Sequence, residues 1–231
     1  PSVSFETGAA VPVTYLTAYL MMINIANLKR GQTVLIHGIG GGVGVSALQM
    51  ARILGAEVIG TASGWKHDTL RRMGADKLID YTKEDFVGRT KHFTNGEGVD
   101  LVLDPLGGKN AEMSYRCLRP LGKVVLYGMF SAFPGKKRRL IHAAMAFLRT
   151  KRFHPLRLMN QNRGVLGCHL GHLWNEKETL RSAMTQLTEW LSDGKISPVV
   201  DRIFSFEEAP LAHRHIQDRK NIGKVILSPK L

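Results

Sequence analysis

Two cysteines in 231 residues are too few for a disulfide framework. Cys117 and Cys168 also lack the paired spacing of a zinc site, and no other metal-ligating cluster is visible. They are expected as reduced core thiols, which favours a cytoplasmic location. No uninterrupted apolar run approaches the ~18 residues of a membrane span. The longest candidate, residues 16–26, is broken by Asn24 and closed by Asn27. No signal peptide, internal repeat or low-complexity linker is visible in these residues. One sign of charge is missing over a long stretch, because no Asp or Glu lies between Glu112 and Glu176. That stretch carries Arg116, Arg119, Lys123, Lys136, Lys137, Arg138, Arg139, Arg149, Lys151, Arg152, Arg157 and Arg163.

What is present is a strongly basic chain, net +13, with an ordinary hydrophobic fraction of 44%. Excess positive charge points to nucleic acid, to an acidic lipid surface, or to a phosphorylated ligand. From Thr33 onward the pattern repeats strand, turn, helix. Short apolar runs at 33–37, 57–61, 77–81, 99–104 and 123–127 predict buried parallel strands. Helical spacing at 43–54, 66–73 and 110–118 fills the gaps between them. Further elements are a helix over 9–28, a sixth strand at 165–168, and a helix over 176–191. Two late strands, 199–206 and 224–227, flank a helix over 207–219. The basic stretch predicts two helices broken near His154 and Pro155. Crossover units of this kind predict a Rossmann-type α/β fold, a doubly wound parallel sheet of order 3-2-1-4-5-6.

Gly38, Ile39, Gly40, Gly41, Gly42, Val43 and Gly44 follow the first strand and open the first long helix. A helix N-terminus offers free amides and positive dipole charge to a diphosphate, and glycines let it approach. The frame is Gly38-x-x-Gly41-x-x-Gly44, a departure from G-x-G-x-x-G, and a plain strand-to-helix turn is the alternative. After the second strand comes Gly60-Thr61-Ala62-Ser63-Gly64-Trp65-Lys66-His67, with no acid to bind an adenosine 2′-hydroxyl. Ser63 and Lys66, with Tyr81 closing the pocket, suit a 2′-phosphate, hence NADPH. The alternative makes Ser63 a helix cap and Lys66 a solvated charge. Tyr81, Tyr115 and Tyr127 are followed four positions on by Asp85, Arg119 and Ser131, so the Tyr-x-x-x-Lys pair of short-chain dehydrogenases is missing.

Several separated segments carry a resemblance: GAAVP at 8–12, LTA at 16–18, HGIGGGVG at 37–44, GTASGWKH at 60–67, IDY at 79–81 and VDLVLDPLGG at 99–108. They resemble the medium-chain dehydrogenase/reductase superfamily, nearest to its zinc-independent quinone oxidoreductases. Asn162-Arg163, GCHLG at 167–171, NIGKV at 221–225 and the long insertion before Val165 resemble the vesicle amine transport protein homologues within that group.

The resemblance implies that Gly41, Gly42, Val43 and Gly44 hold the diphosphate, and that Ser63, Lys66 and Tyr81 hold the 2′-phosphate. It implies that Asp104, Leu106, Gly128 and Met129 line the adenosine and ribose side, and that Thr17, Cys168, His169 and Leu170 lie near the nicotinamide. The implied reaction is hydride transfer from NADPH to a quinone or an α,β-unsaturated carbonyl without zinc, by a protein that can form a homodimer. No catalytic residue is assigned, since the cofactor carries the hydride chemistry.

The family also begins with a β-rich domain that this chain, which opens on Pro1, does not contain. The chain is therefore expected as a cofactor-binding fragment. Its expected divisions are a linker helix at 1–30, a dinucleotide-binding domain at 31–197 with a basic insertion at 130–163, and a return segment at 198–231 whose strands pack on the β-rich domain. The insertion at 136–163 admits a solvated cover for the cleft, an acidic membrane surface or protein partner, or, least favoured, nucleic acid. The competing function is a non-catalytic nucleotide-binding protein that associates through this insertion.

Overall fold

A computed structural model of the chain describes residues 3–129 and 153–229. The main sheet holds β1 (Thr33–His37), β2 (Glu57–Ala62), β3 (Lys77–Asp80), β4 (Val99–Asp104), β5 (Leu118–Leu126) and β6 (Gly164–Gly167). All pairings are parallel and the order is β3-β2-β1-β4-β5-β6, as the crossover pattern predicts. β1, β2, β3 and β4 are buried on both faces, so their sequences read as nearly continuous apolar runs, whereas the edge strand β6 is only partly covered. The pleat divides those runs. Val34, Ile36 and Val58 face one core cluster, with Ala47, Leu48 and Met50. Leu35, Ile59 and Val102 face the other, with Phe86 and Tyr115.

The first crossover helix, α3 (Gly42–Leu54), starts at an extended Gly41 cap and stops at Gly55 in the left-handed region, φ 69°. Before it, the expected single helix over 9–28 divides. α1 (Phe5–Ala10) and α2 (Pro12–Tyr19) meet at Val11, and a π-helical turn, Leu20–Ile25, finishes the segment. Pro12 lacks the N–H that would continue the first helix, so it opens the second.

α4 (His67–Arg72) is one residue shorter than expected at each end, because a 3-10 turn, Gly64–Lys66, takes Lys66 and Met73 is its C-cap. A helix that periodicity did not indicate, α5 (Phe86–Phe93), connects β3 to β4. Its cap explains it. The Asp85 carboxylate accepts from the amides of Val87 and Gly88. α6 (Lys109–Arg116) completes the next crossover.

Of the two helices expected in the basic insertion, the first lies outside the described residues. The second is α7 (Pro155–Gln161), capped by His154. Arg157 of α7 donates two 2.9 Å hydrogen bonds to Glu112 of α6, docking the end of the insertion on the sheet's cover. α8 (Lys177–Ser192) packs on α2, where Tyr19 and Trp190 sit 5.9 Å apart. The two late strands, β7 (Val200–Ser205) and β8 (Lys224–Ser228), pair with each other in parallel, apart from the main sheet. α9 (Ala209–Gln217) connects them. No helix among the described residues is long and apolar enough to cross a membrane.

Candidate dinucleotide site

Because the six strands are parallel, their carboxyl ends share one edge, where a doubly wound sheet offers its ligand crevice. The turn from Gly38 to Gly44 lies on that edge, between β1 and α3. Gly38 is exposed and left-handed, φ 61°, and its amide donates to Thr61 Oγ1 at 3.2 Å. Gly41 N donates to Gly38 O at 2.8 Å, which closes the turn. A Cβ on Gly44 would meet Gly38 O at 2.5 Å and Ile39 Cα at 2.6 Å. The turn therefore folds back on the helix it opens, and the first-turn amides of α3 are left to meet a ligand. Gly41, Gly42 and Val43 are partly exposed at this helix mouth, and Gly44 is buried behind them.

Of the three residues expected at a 2′-phosphate, two meet. Ser63 Oγ and Tyr81 Oη are 3.0 Å apart, at the ends of β2 and β3. Ser63 stands at the cap position of the turn Gly64–Lys66, but its side chain makes no capping bond. Lys66 does not join them. Its side chain is buried beneath the glycine turn, and Nζ donates to Asn221 O at 2.6 Å. That placement overturns the alternative of a solvated lysine. Burial lowers the Lys66 pKa, Asp201 opposes the shift, and Arg219 adds to it.

The cation that reaches the Ser63–Tyr81 pair is one the sequence reading missed. Arg219 Nη1 donates to Tyr81 Oη at 3.0 Å, and its guanidinium lies 5.6 Å from the Tyr81 ring centre. Arg219 follows α9 with a left-handed φ of 57°. Nothing in local periodicity marks it, because its partner is 138 positions away.

Asp104, Leu106, Gly128 and Met129 come together where β4 and β5 end. A Cβ on Gly128 would meet Pro105 O at 2.5 Å, and one on Gly107 would meet Met129 Cγ at 3.3 Å. Met129 is exposed and Leu106 half-buried, whereas Asp104 is fully buried. Asp104 Oδ1 accepts from the amides of Leu106 (2.6 Å) and Gly107 (3.0 Å), and Oδ2 accepts from Ser114 Oγ (2.7 Å). Asp104 thus shapes its loop from within, which argues against a catalytic acid there.

Ser114 Oγ also lies 3.1 Å from His37 Nε2, and His37 Nδ1 lies 3.2 Å from Thr61 Oγ1. The directions follow from the ends. Ser114 donates to Asp104, so it accepts from Nε2–H; Nδ1 then accepts from Thr61, which accepts from Gly38 N–H. Neutral His37 therefore links the glycine turn to the loop after β4 in one buried chain. Burial holds its pKa below the ordinary imidazole value, with Asp104 opposing the shift.

The four residues expected near the nicotinamide gather in part. The α2 segment bearing Thr17 packs on the short turn Leu170–His172. The Thr17 hydroxyl is given to Val13 O at 2.7 Å within its own helix. Cys168 and Leu170 are buried, and His169 is exposed with its ring 4.4 Å from that of His172. Burial raises the Cys168 thiol and pushes Cys117 up to about 12, so neither thiol is a ready nucleophile. Among the described residues, no group of three His, Cys, Asp or Glu side chains is arranged to hold a metal ion.

A family model described as zinc-binding dehydrogenase matches residues 73–227. The chain is 41% identical over 229 residues to the synaptic vesicle membrane protein VAT-1 homolog of Mus musculus, covering 99% of this chain and 56% of that relative. It thus spans about half the length of the curated relatives it matches. Among solved structures, a mycobacterial protein, Rv1454c, in complex with NADPH superimposes with a TM-score of 0.83 at 28% identity, covering 99% of this chain and 67% of that one. A quinone oxidoreductase of Pseudomonas syringae gives 0.80 at 29%, covering 99% and 66%. The nucleotide-type turn, the sheet order and these likenesses agree: the chain belongs to the zinc-binding dehydrogenase family of the medium-chain dehydrogenase/reductase superfamily.

Proposed function

We propose that the chain is the dinucleotide-binding part of an NADPH-dependent oxidoreductase that reduces a quinone or an α,β-unsaturated carbonyl without a zinc ion. The observation that carries the cofactor choice is the Ser63–Tyr81–Arg219 cluster at the ends of β2 and β3. Two hydroxyls and a guanidinium form a polar, cationic set suited to a phosphate dianion. Lys66 adds positive field from beneath the turn. Gly41, Gly42, Val43 and Gly44 would hold the diphosphate; Asp104, Leu106, Gly128 and Met129 would shape the adenosine and ribose side. Thr17, Cys168, His169 and Leu170 would border the nicotinamide, which supplies the hydride when bound. In this reading residues 31–197 form the dinucleotide-binding unit, 1–30 lead into it and 198–231 return to it. The NADPH complex of one neighbour and the quinone oxidoreductase identity of another support the cofactor and the acceptor class.

Titration with 2′,5′-ADP and with ADP, followed by protection against thermal unfolding, tests this reading. The phosphorylated ligand is expected to bind more tightly, and Arg219→Ala to remove about 10- to 100-fold of that preference, the worth of a charge-assisted hydrogen bond. ADP affinity is expected to hold. Equal binding of both ligands by the unaltered chain overturns the NADPH assignment.

A second reading is favoured by the absence of acids from 113 to 175 and by the vesicle-membrane name of the mouse relative. In it, the basic segment 136–163 associates with acidic membrane surfaces. Liposomes containing phosphatidylserine are then expected to pellet the protein at low salt and release it at high salt. Equal recovery on neutral liposomes counts against it.

A further inference from the structure

We propose that Asp201 is a positioning residue for 2′-phosphate recognition: it pins the segment 219–223 so that Arg219 reaches Tyr81 and Asn221 reaches Lys66. The inference rests on the NADPH reading above and deepens it.

Asp201 stands near the start of β7, remote in sequence from every residue of the pocket except this segment. Its carboxylate is used on both oxygens. Oδ2 lies 2.7 Å from His215 Nε2, and Oδ1 accepts from Ile222 N at 2.9 Å. His215 belongs to the last turn of α9, and Ile222 to the chain leading into β8. One side chain therefore fixes both ends of the connection that bears Arg219. His215 is held in turn by packing on Phe204, ring centres 6.0 Å apart.

The connection itself is drawn tight. Arg219 N donates to Ile216 O at 2.9 Å and Lys220 N to His215 O at 3.1 Å, closing the helix through a left-handed Arg219. Asn221 Nδ2 donates to Gly223 O at 2.9 Å, which aims Asn221 O at Lys66 Nζ. Gly223 N then donates to Gly40 O at 3.0 Å, and Gly223 bridges Gly41. The segment thus touches the pocket twice: at the glycine turn through Gly223 and Asn221, and at the Ser63–Tyr81 pair through Arg219.

Two effects of Asp201 oppose each other. Its negative charge lowers the positive potential around Lys66 and Arg219, which weakens attraction for a phosphate. Its hydrogen bonds hold the backbone on either side of Arg219, so that the guanidinium starts within reach of Tyr81 and less ordering is left for binding. Arg219 is exposed and would otherwise be free to swing. Ordering one such side chain costs about a three- to tenfold loss of affinity. Positioning outweighs the field if removal of the charge alone leaves the preference intact while removal of the whole carboxylate lowers it.

The opposition makes the test decisive. In the full chain, Asp201→Ala is expected to lower the preference for 2′,5′-ADP over ADP by about three- to tenfold. Asp201→Asn removes the charge but keeps an acceptor for Ile222 N, and is expected to keep the preference or raise it. His215→Leu, which removes one of the two braces, is expected to fall between unaltered chain and Asp201→Ala, and serves if the alanine variant does not fold. If the unaltered chain prefers 2′,5′-ADP while Asp201→Ala and His215→Leu retain or increase that preference, this inference is overturned alone. If the unaltered chain has no such preference, the NADPH reading beneath it is overturned as well.

Discussion

Gly44→Val is expected to abolish dinucleotide binding and to lower stability by about 3 kcal/mol or more, the upper range for forced overpacking. The contacts decide this. An added Cβ would lie 2.5 Å from Gly38 O, 2.6 Å from Ile39 Cα and 2.7 Å from Ile39 C. All three are backbone atoms, so no side-chain rotation relieves them. Either α3 slides outward or the turn opens, and both displace the helix mouth that would face the diphosphate. Gly38→Ala is a useful contrast. Nothing lies within 4 Å of its added Cβ, and only the left-handed φ of 61° is strained. That substitution is expected to cost about 1 to 2 kcal/mol. Urea unfolding and ligand titration check both. Binding by Gly44→Val within about twofold of the unaltered chain would mean that the helix mouth is not the phosphate site.

Asp104→Ala is expected to cost about 4 kcal/mol. It leaves two amides and the Ser114 hydroxyl without their acceptor in a buried setting, at about 1 to 3 kcal/mol for each group. Asp104→Asn keeps the acceptor for Leu106 and Gly107 and is expected to lose about half as much. The same network predicts a pH response. Burial holds His37 below its ordinary value of 6.5, so the unfolded chain binds a proton that the folded chain resists. Its contribution is therefore complete above that value and declines as the pH falls through it. The slope approaches about 1.4 kcal/mol per pH unit until the folded value is reached. His37→Gln removes the titrating group and is expected to flatten the decline below about pH 6.5. Equal slopes for the two proteins would sink the claim that His37 is buried neutral.

Much of the sheet was legible in the sequence, because parallel strands buried on both faces leave continuous apolar runs between turn signals. Five of the six were bounded within a residue or two. The fifth begins earlier, at Leu118, across a register shift between Val99 and Leu101. α5 escaped because it is only eight residues long, with Gly88 in its first turn and only Phe86 and Thr90 buried, and the Asp85 carboxylate caps it. The division of the first helix was written in Pro12 but outweighed by the apolar run around it.

Sequence alone determined the architecture and the place of the glycine turn, because helix period, strand burial and turn chemistry are local properties carried by neighbouring residues. Tertiary structure alone decided which charges meet. It turned Lys66 under the turn toward Asn221, brought Arg219 to Tyr81, and joined His37 to Asp104 through Ser114. Each pair is separated by tens of residues or more, and no local preference specifies it. Such contacts exist only once strands and the C-terminal segment have packed, when burial forces each polar group to find a partner.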